Sequence, residues 1–480
     1  MRNQKILFIV EENVLNGRSY FGASNDLLLI HSALKSGAEI YLTTPQKLIE
    51  SSSLALKLCQ PDWRKLNLAI KLSWKKEVLN SIAKMPANPD NSASKILFEN
   101  SQWQNIDWSE LTVFNRSEPI SLTDNFYKTL ISLKNNGAKI LPDPHLNQIL
   151  GDKLAVYALH YQQKIANLDL LESVDFKGLE NQISFESQII TLSQNTLNGQ
   201  QIEQFYQLLE QQNLELVENL FADEYKIFKQ GVSEYLQFHL ALKNDSIIKP
   251  VSYFGGVGVV VTKNQPLNFD QAIENIVQSF LAIKKDATQN GAPQLAFLPA
   301  IIAQERATHA NLGDLRIVIC GSDLQGIFVR FNPHFEKFKV GNLHFGGYAK
   351  TLFGNYPINK NGVELLIADL QKQGFDSASD QIKQANALFD LLDKLHFLAK
   401  IKIFHNYPII GVDALLTQNK NGDYRYGINE INLTSPMGQV QLIILAIAAK
   451  VQKNPDLIDA EIDNYLHHNI ADQTIQFLNK

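Results

Sequence analysis

Ile409-Ile410-Gly411-Val412-Asp413-Ala414-Leu415-Leu416 and Tyr424-Arg425-Tyr426-Gly427-Ile428-Asn429-Glu430-Ile431-Asn432-Leu433 are two strand-like runs joined through Lys420-Asn421-Gly422-Asp423. Asn-Gly between such runs is the strongest short hairpin signal. With Asn421 and Gly422 as a two-residue type I′ turn, Lys420 pairs with Asp423, and counting outward sets Asp413 opposite Glu430. Asn432 lies two residues beyond Glu430 and shares its face. Carboxylates at facing positions have Cβ atoms roughly 5 Å apart and repel by about 3 kcal/mol at an effective dielectric near 20, so a positive charge is expected between them. Two carboxylates and an amide oxygen are hard ligands, too few for an all-protein Ca²⁺ cage and suited to Mg²⁺ that completes its shell with water and phosphate. The same pattern also suits a solvated hairpin with tolerated charges, because a bulge would shift the register.

With 480 residues, 45% of them hydrophobic, the chain has ample material for two to four packed units. A net charge of -5 argues against general affinity for nucleic acid or anionic membrane, since both require concentrated positive charge. The apolar run at 6–10 is too short for the core of a signal peptide, and no segment approaches a membrane span, which places the protein in the cytoplasm. Cys59 and Cys320 are the only cysteines, so a disulfide framework and a thiolate metal site are both excluded, and Cys320 is expected to pack as a small hydrophobe.

Strand and helix alternate in the first third: 5–10, 23–36 ending at Gly37, 39–43, then 111–115, 124–135 stopped by Gly137, and 138–141. That order predicts a doubly wound parallel sheet. Residues 53–105 interrupt it with polar, proline-containing sequence that fits no element, and no GxGxxG follows the first strand. From 154 to 244, Leu, Glu and Gln recur at helical spacing, which reads as helical packing or an oligomer contact. Strands return at 246–251, 258–262, 316–320 and 326–331, with helices over 270–286 and 379–397, giving an α+β half with mostly antiparallel pairing.

Three clusters carry candidate chemistry. Gly255-Gly256-Val257-Gly258 lies between two strands, where bare backbone N–H groups can approach an anion; the alternative is a flexible hairpin tip. Lys249 sits in the apolar run leading into that turn, where a buried ammonium requires an anionic partner, and Pro250 rules out an ordinary central ladder at that point. Asp314, Arg316, Arg330, Asn342 and Gly346-Gly347 form the third cluster. Arg330 ends an apolar strand and must meet a carboxylate or a phosphate, whether a substrate group or a structural partner such as Glu336 or Asp314. Of the histidines, only His344 and His405 fall near these clusters, and no Ser/His/Asp or Cys/His constellation is traceable.

In order, these clusters resemble the ATP-grasp ligases, and among them the bacterial glutathione synthetases. Arg116-Ser117-Glu118-Pro119 is similar to the family's Arg-x-Asp-Pro-Pro, Gly151-Asp152-Lys153-Leu154 to its Asn-Glu-Lys-Leu, and Lys249-Pro250 to the Lys-Pro before its Gly-Gly loop. Phe297-Leu298-Pro299-Ala300-Ile301 resembles Tyr-Leu-Pro-Ala-Ile, Gly313-Asp314-Leu315-Arg316 resembles Gly-Asp-Lys-Arg, and Gly341-Asn342-Leu343 with Gly346-Gly347 resembles Gly-Asn-Leu-x-x-Gly-Gly. The most specific match is Asn429-Glu430-Ile431-Asn432-Leu433-Thr434-Ser435-Pro436 to Thr-Glu-Ile-Asn-Val-Thr-Ser-Pro, at the right distance from Gly411-Val412-Asp413. Departures stand at Ser252-Tyr253-Phe254, Leu295 and Val340.

The resemblance implies a pre-ATP-grasp α/β domain over 1–150, a small ATP-grasp subdomain over 151–300 with a helical insertion at about 158–246, and a C-terminal catalytic domain over 301–480. It implies ATP held by Lys153, Lys249, Gly255, Gly256 and the Phe297-Leu298 backbone, and Mg²⁺, with Mn²⁺ as a substitute, on Asp413, Glu430 and Asn432. Arg316, Arg330 and Asn342 would be catalytic, with Arg116, Arg330 and Ser435 at the substrate. The implied reaction joins γ-glutamylcysteine and glycine through an acyl phosphate in a cytoplasmic homo-oligomer. Two alternatives stay open: an ATP-grasp ligase for other amino acids or peptides, and a non-catalytic nucleotide-binding protein.

Overall fold

The computed structural model describes residues 4–16, 23–86, 92–117, 124–145, 185–193, 197, 199–242, 244–251, 256–289, 300–321, 323–333, 347–350, 360–398, 407–418, 421–432 and 438–478. The chain divides into two compact units, one of Met1–Gly151, Val174–Gly178 and Asn311–Lys480, the other of Asp152–Ser173 and Leu179–Ala310. Among the described residues no helix is long and apolar enough to cross a membrane.

The first unit opens with six strands, β1 (Lys5–Ile9), β2 (Glu39–Thr43), β3 (Leu54–Lys57), β4 (Gln102–Asn105), β5 (Leu111–Asn115) and β6 (Lys139–Leu141), in the order β4-β3-β2-β1-β5-β6. β2, β1, β5 and β6 run parallel, as the alternation predicts. Alternate residues of β1 supply two cores: Ile6 and Phe8 face the core that contains Leu27 and Ile30, whereas Leu7 and Ile9 face that of Phe126 and Leu130. Both crossover helices, Ala23–Lys35 and Asp124–Asn135, end alike. Ala38 N–H donates to the Ala33 carbonyl and Ala138 N–H to Leu133, around Gly37 and Gly137 at φ +84° and +99°. This left-handed cap favours glycine and turns the chain straight into the next strand.

Residues 53–105, which fit no element by sequence, add the antiparallel edge β3–β4 and the Trp63–Ile82 helix. Asp62 caps that helix by accepting from the Arg64 and Lys65 amides. Its buried stripe is Leu66, Ala69, Ile70, Ser73, Trp74, Glu77 and Val78, while Leu68, Leu72 and Leu79 remain exposed. Leucines on both faces blur the periodicity that sequence reading depends on.

In the second unit, β7 (Ser187–Thr191), β8 (Ser246–Pro250), β9 (Val260–Thr262) and β10 (Ala300–Glu305) form an antiparallel sheet ordered β7-β10-β8-β9. Within the described part of 154–244 the helical expectation holds for Gly199–Glu210, Leu214–Leu220 and Ala222–Ala241 and is corrected at Ser187–Thr191, which is strand β7, paired to β10. The aromatic face of the helices is used within the unit: the Tyr206 ring stacks on Phe280 with centroids 4.0 Å apart.

The first unit also holds β11 (Asp314–Cys320), β12 (Asp323–Phe331), β13 (Tyr348–Lys350), β14 (Ile410–Gln418) and β15 (Tyr424–Asn432), antiparallel in the order β13-β12-β11-β14-β15. The Asp380–Leu398 helix packs against β15, and the Gln439–Val451 helix joins Val318 and Phe328 to the core around Ile6 and Phe8. Cys320 is buried, as expected of a small hydrophobe.

Candidate functional site

The β14–β15 hairpin delivers the expected facing pair by a different route. Gln418 pairs with Tyr424, so five residues rather than two connect the strands, and the inner register runs Thr417↔Arg425 to Ala414↔Ile428. That is one residue out of step with an Asn-Gly turn. A bulge between Ala414 and Asp413 then takes up one extra residue, Asn429, and restores Asp413↔Glu430. The type I′ turn is therefore corrected to a longer loop, whose Gly422 carbonyl accepts from Gln418 Nε2 at 2.9 Å. Two offsets of opposite sense cancel at the residues that matter.

Register carries the pattern across the sheet. Asp413 pairs with Arg316 on β11 as well as with Glu430 on β15, and Asp314, two residues before Arg316, pairs with Arg330 on β12. Cross-strand partners and residues two apart share a face, so Arg330, Asp314, Arg316, Asp413, Glu430 and Asn432 all lie on one side of the sheet. The positive charge expected at Asp413 is present, and it comes from arginine. Arg316 donates from Nε to Asp413 Oδ1 at 2.5 Å and from Nη2 to Oδ2 at 3.0 Å. Arg330 grips Asp314 with the same two-pronged fork, at 2.6 and 3.0 Å, and its Nη2 also reaches Asp413 Oδ2 at 2.9 Å. Asn432 Nδ2 adds a donor to the same oxygen at 3.2 Å.

Asp413, Arg316 and Arg330 are each more than nine-tenths buried, whereas Glu430 and Asn432 are partly exposed. Burial alone would push the Asp413 carboxyl up; the guanidiniums of Arg316 and Arg330 outweigh it and hold the pKa at about 2. Asp314 moves the other way, raised by burial and by the neighbouring Asp413 charge against the pull of Arg330. Arg330 itself is raised: burial opposes its charge, but two aspartates overcome that penalty. The network leaves an ionised Asp413 beside Glu430, with the amide of Asn432 alongside.

By residue type this donor set suits Mg²⁺, although both Asp413 oxygens are engaged by Arg316, Arg330 and the Asn432 amide N–H. Two carboxylates and an amide oxygen are hard ligands, and the remaining positions of an octahedral shell are ones water and phosphate fill. Among the described residues no group of three or more His, Cys, Asp and Glu could hold a metal, so the amide and outside ligands are required.

Arg116 lies at the carboxyl end of β5, the edge at which open parallel sheets bind ligands. It is 1% exposed, its Nε donates to Asp26 Oδ1 at 2.9 Å, and its guanidinium lies over the Phe114 ring. The Nε bond ties β5 to the Ala23–Lys35 helix, while Nη1 is buried with no hydrogen-bond partner among the described residues. In the second unit, Lys249 is half-buried on β8 opposite Ile302. Pro250 falls where the β9 ladder has already stopped, at Ile248, consistent with its missing N–H. Gly256 has φ +80°. Lys153, Gly255, Phe297, Leu298, Asn342 and Ser435 lie outside the described residues, as do Glu336, His344, His405, Leu295, Val340 and 252–254.

No family model matches the chain, and no curated protein matches it. Among solved structures it is similar to a D-cycloserine synthetase, DcsG, with 10% identity over 96% of this chain and 99% of that one and a TM-score of 0.40. The D-alanyl-alanine synthetase A of Vibrio cholerae O1 biovar eltor gives 10% identity, 97% and 99% coverage and 0.40. The D-alanine-D-alanine ligase of Coxiella burnetii gives 9%, 100% and 96%, and 0.39. Likeness of this degree does not define an activity.

Proposed function

We propose that the protein is an ATP-dependent, ADP-forming carboxylate–amine ligase of the ATP-grasp class, and that it joins γ-glutamylcysteine to glycine. The observation that carries this reading is the single sheet face on which Asp413, Glu430 and Asn432 stand in register with Arg316 and Arg330. The ordered motifs from Lys249-Pro250 to the Asn429–Pro436 octet support it.

In this reading a substrate carboxylate oxygen attacks the γ-phosphorus of ATP, ADP departs, and an acyl phosphate forms. The amine nitrogen then attacks the acyl carbon, its proton is lost, and inorganic phosphate leaves as the amide forms. Mg²⁺ bound by Asp413, Glu430 and Asn432 would offset charge on the phosphates. Arg316 and Arg330, fixed by their aspartates, are preorganised donors for the negative charge that develops on phosphoryl and acyl oxygens. Asn342 and Ser435 would act beside them. Lys153, Lys249, Gly255 and Gly256 would hold the triphosphate, and Phe297 and Leu298 the adenine. Arg116, at the carboxyl end of β5, would bind the substrate.

ADP release tests the reading. It should require ATP, Mg²⁺ and a carboxylate–amine pair together, with γ-glutamylcysteine plus glycine preferred over a panel of other amino acids and peptides. Preference for another pair would keep the reaction class and replace the substrate. ATP binding without turnover for any pair would overturn the ligase reading.

A further inference from the structure

Three donors converge on one oxygen of Asp413. Oδ2 accepts from Arg316 Nη2 at 3.0 Å and from Asn432 Nδ2 at 3.2 Å, and Arg330 Nη2 lies 2.9 Å away. A carboxylate oxygen has about two lone pairs, so these donors leave no position on it for a cation. It is also the oxygen that Asn432 faces, and hence the one that a cation shared by Asp413 and Asn432 would bind. The amide turns its nitrogen toward that oxygen, whereas a ligand to a hard cation presents oxygen. The two guanidiniums are not equally committed to Asp413. Arg316 uses both prongs of its fork on this carboxylate. Arg330 uses its fork on Asp314, through Nε at 2.6 Å and Nη2 at 3.0 Å, and reaches Asp413 with the other hydrogen of Nη2. Arg330 can therefore release Asp413 and keep its fork whole, while withdrawing Arg316 would dismantle the Arg316 fork.

We propose that Arg330 and the Asn432 amide hold the cation's place on Asp413, so that Arg330 must withdraw onto Asp314, and Asn432 must turn its oxygen inward, before a cation can bind. The inference rests on the ligase reading, which puts a cation at Asp413, and adds how that site is regulated. A guanidinium and Mg²⁺ exclude each other on one buried oxygen, because like charges that close repel strongly where water does not screen them. Linkage then works in both directions: a bound cation favours the withdrawn arginine, and the withdrawn arginine favours the cation. The N–H that leaves Asp413 becomes a donor in need of an acceptor, which a substrate oxyanion supplies.

The test is Mn²⁺ binding to the full chain without nucleotide, read from the loss of the free-ion electron paramagnetic resonance signal. Binding that Glu430→Gln removes marks the site. A double variant, Arg330→Met with Asp314→Asn, takes away one positive and one negative charge together, so it keeps the net charge and orphans no buried ion. It should bind Mn²⁺ about tenfold or more tighter than the unaltered protein, the scale of one charge-assisted hydrogen bond. Equal, weaker or no binding by the folded double variant would overturn the proposal. Should that variant fail to fold, the unaltered protein supplies the answer: weak binding agrees with a site held by Arg330, and saturation by micromolar Mn²⁺ at the Glu430-dependent site would overturn it. Tighter Mn²⁺ binding by the double variant, with no ADP release by the unaltered protein for any acid–amine pair, would sink the ligase reading and leave the exchange standing. Mg²⁺-dependent ADP release with equal Mn²⁺ affinity in the two proteins would do the reverse.

Discussion

Arg330 Nη2 lies 3.0 Å from Asp314 Oδ2 and 2.9 Å from Asp413 Oδ2, so one guanidinium ties a carboxylate on its neighbouring strand to a second one a strand further on. Asp413 is thus anchored from two sides, by Arg316 and by Arg330. Simple repulsion between Asp413 and Glu430 predicts that neutralising either leaves the fold at least as stable. The arginines reverse that expectation for one of the two.

Asp413→Asn should destabilise the protein by about 3 kcal/mol, because two buried guanidiniums would face an amide, and breaking a buried pair typically costs about 3–5 kcal/mol. Glu430→Gln, at a partly exposed site, should change stability by less than about 1 kcal/mol. Both should abolish ligase turnover. Denaturant unfolding followed by circular dichroism checks the contrast, and equal losses for the two variants would remove the arginine anchor from the account.

Arg330→Lys retains the charge and loses the fork. A lysine cannot hold Asp314 through two parallel bonds while touching Asp413, so both stability and kcat/KM should fall, kcat/KM by about 1–3 kcal/mol of transition-state binding. ATP affinity should hardly move. Melting temperature and kcat/KM measured on the same preparation separate the two effects, and a purely structural arginine predicts activity that tracks the folded fraction alone.

How much of this was legible in the sequence depends on distance along the chain. The parallel core could be read from local signals, since Gly37 and Gly137 close their helices with a single residue between each glycine and the next strand. The hairpin was legible too, although Asp413↔Glu430 follows from a longer loop and a compensating bulge that no residue pattern announces. The Arg316–Asp413 pair spans 97 positions, and only the long-range register of β11 on β14 brings it together. Asp314 was legible as a possible partner of Arg330, but its choice over Glu336 required the β11–β12 register. The Trp63–Ile82 helix was hidden, because it shows leucines to solvent as well as to the core.

His31 supplies a pH test away from the site. It is buried, its Nε2 lies 3.3 Å from Asn67 Oδ1, and Trp63, Lys35, His467 and Asp472 stand around it. Burial lowers its pKa below the usual imidazole value, helped by Lys35 and His467 and opposed by Asn67 and Asp472. A depressed folded pKa means stability that is present above the unfolded value, about 6.5, and lost as pH falls through the folded one. The melting temperature should therefore drop on acidification below about pH 6.5, and His31→Gln should flatten that drop. An unchanged slope in the variant would assign the acid sensitivity to another group.

Lys249→Ala should weaken ATP binding more than binding of the carboxylate substrate, because its proposed partner is phosphate. Calorimetric titration with ATP and with γ-glutamylcysteine measures both, and unchanged ATP affinity would take Lys249 out of the nucleotide site.

The most direct test of the ligase chemistry follows an oxygen atom. With the glycine-acylating carboxylate of γ-glutamylcysteine labelled with ¹⁸O, passage through an acyl phosphate carries one labelled oxygen into inorganic phosphate for each amide made, and mass spectrometry of the phosphate detects it. The account predicts one ¹⁸O per phosphate released in the presence of glycine. Unlabelled phosphate formed alongside the amide, or label appearing in AMP, would contradict it.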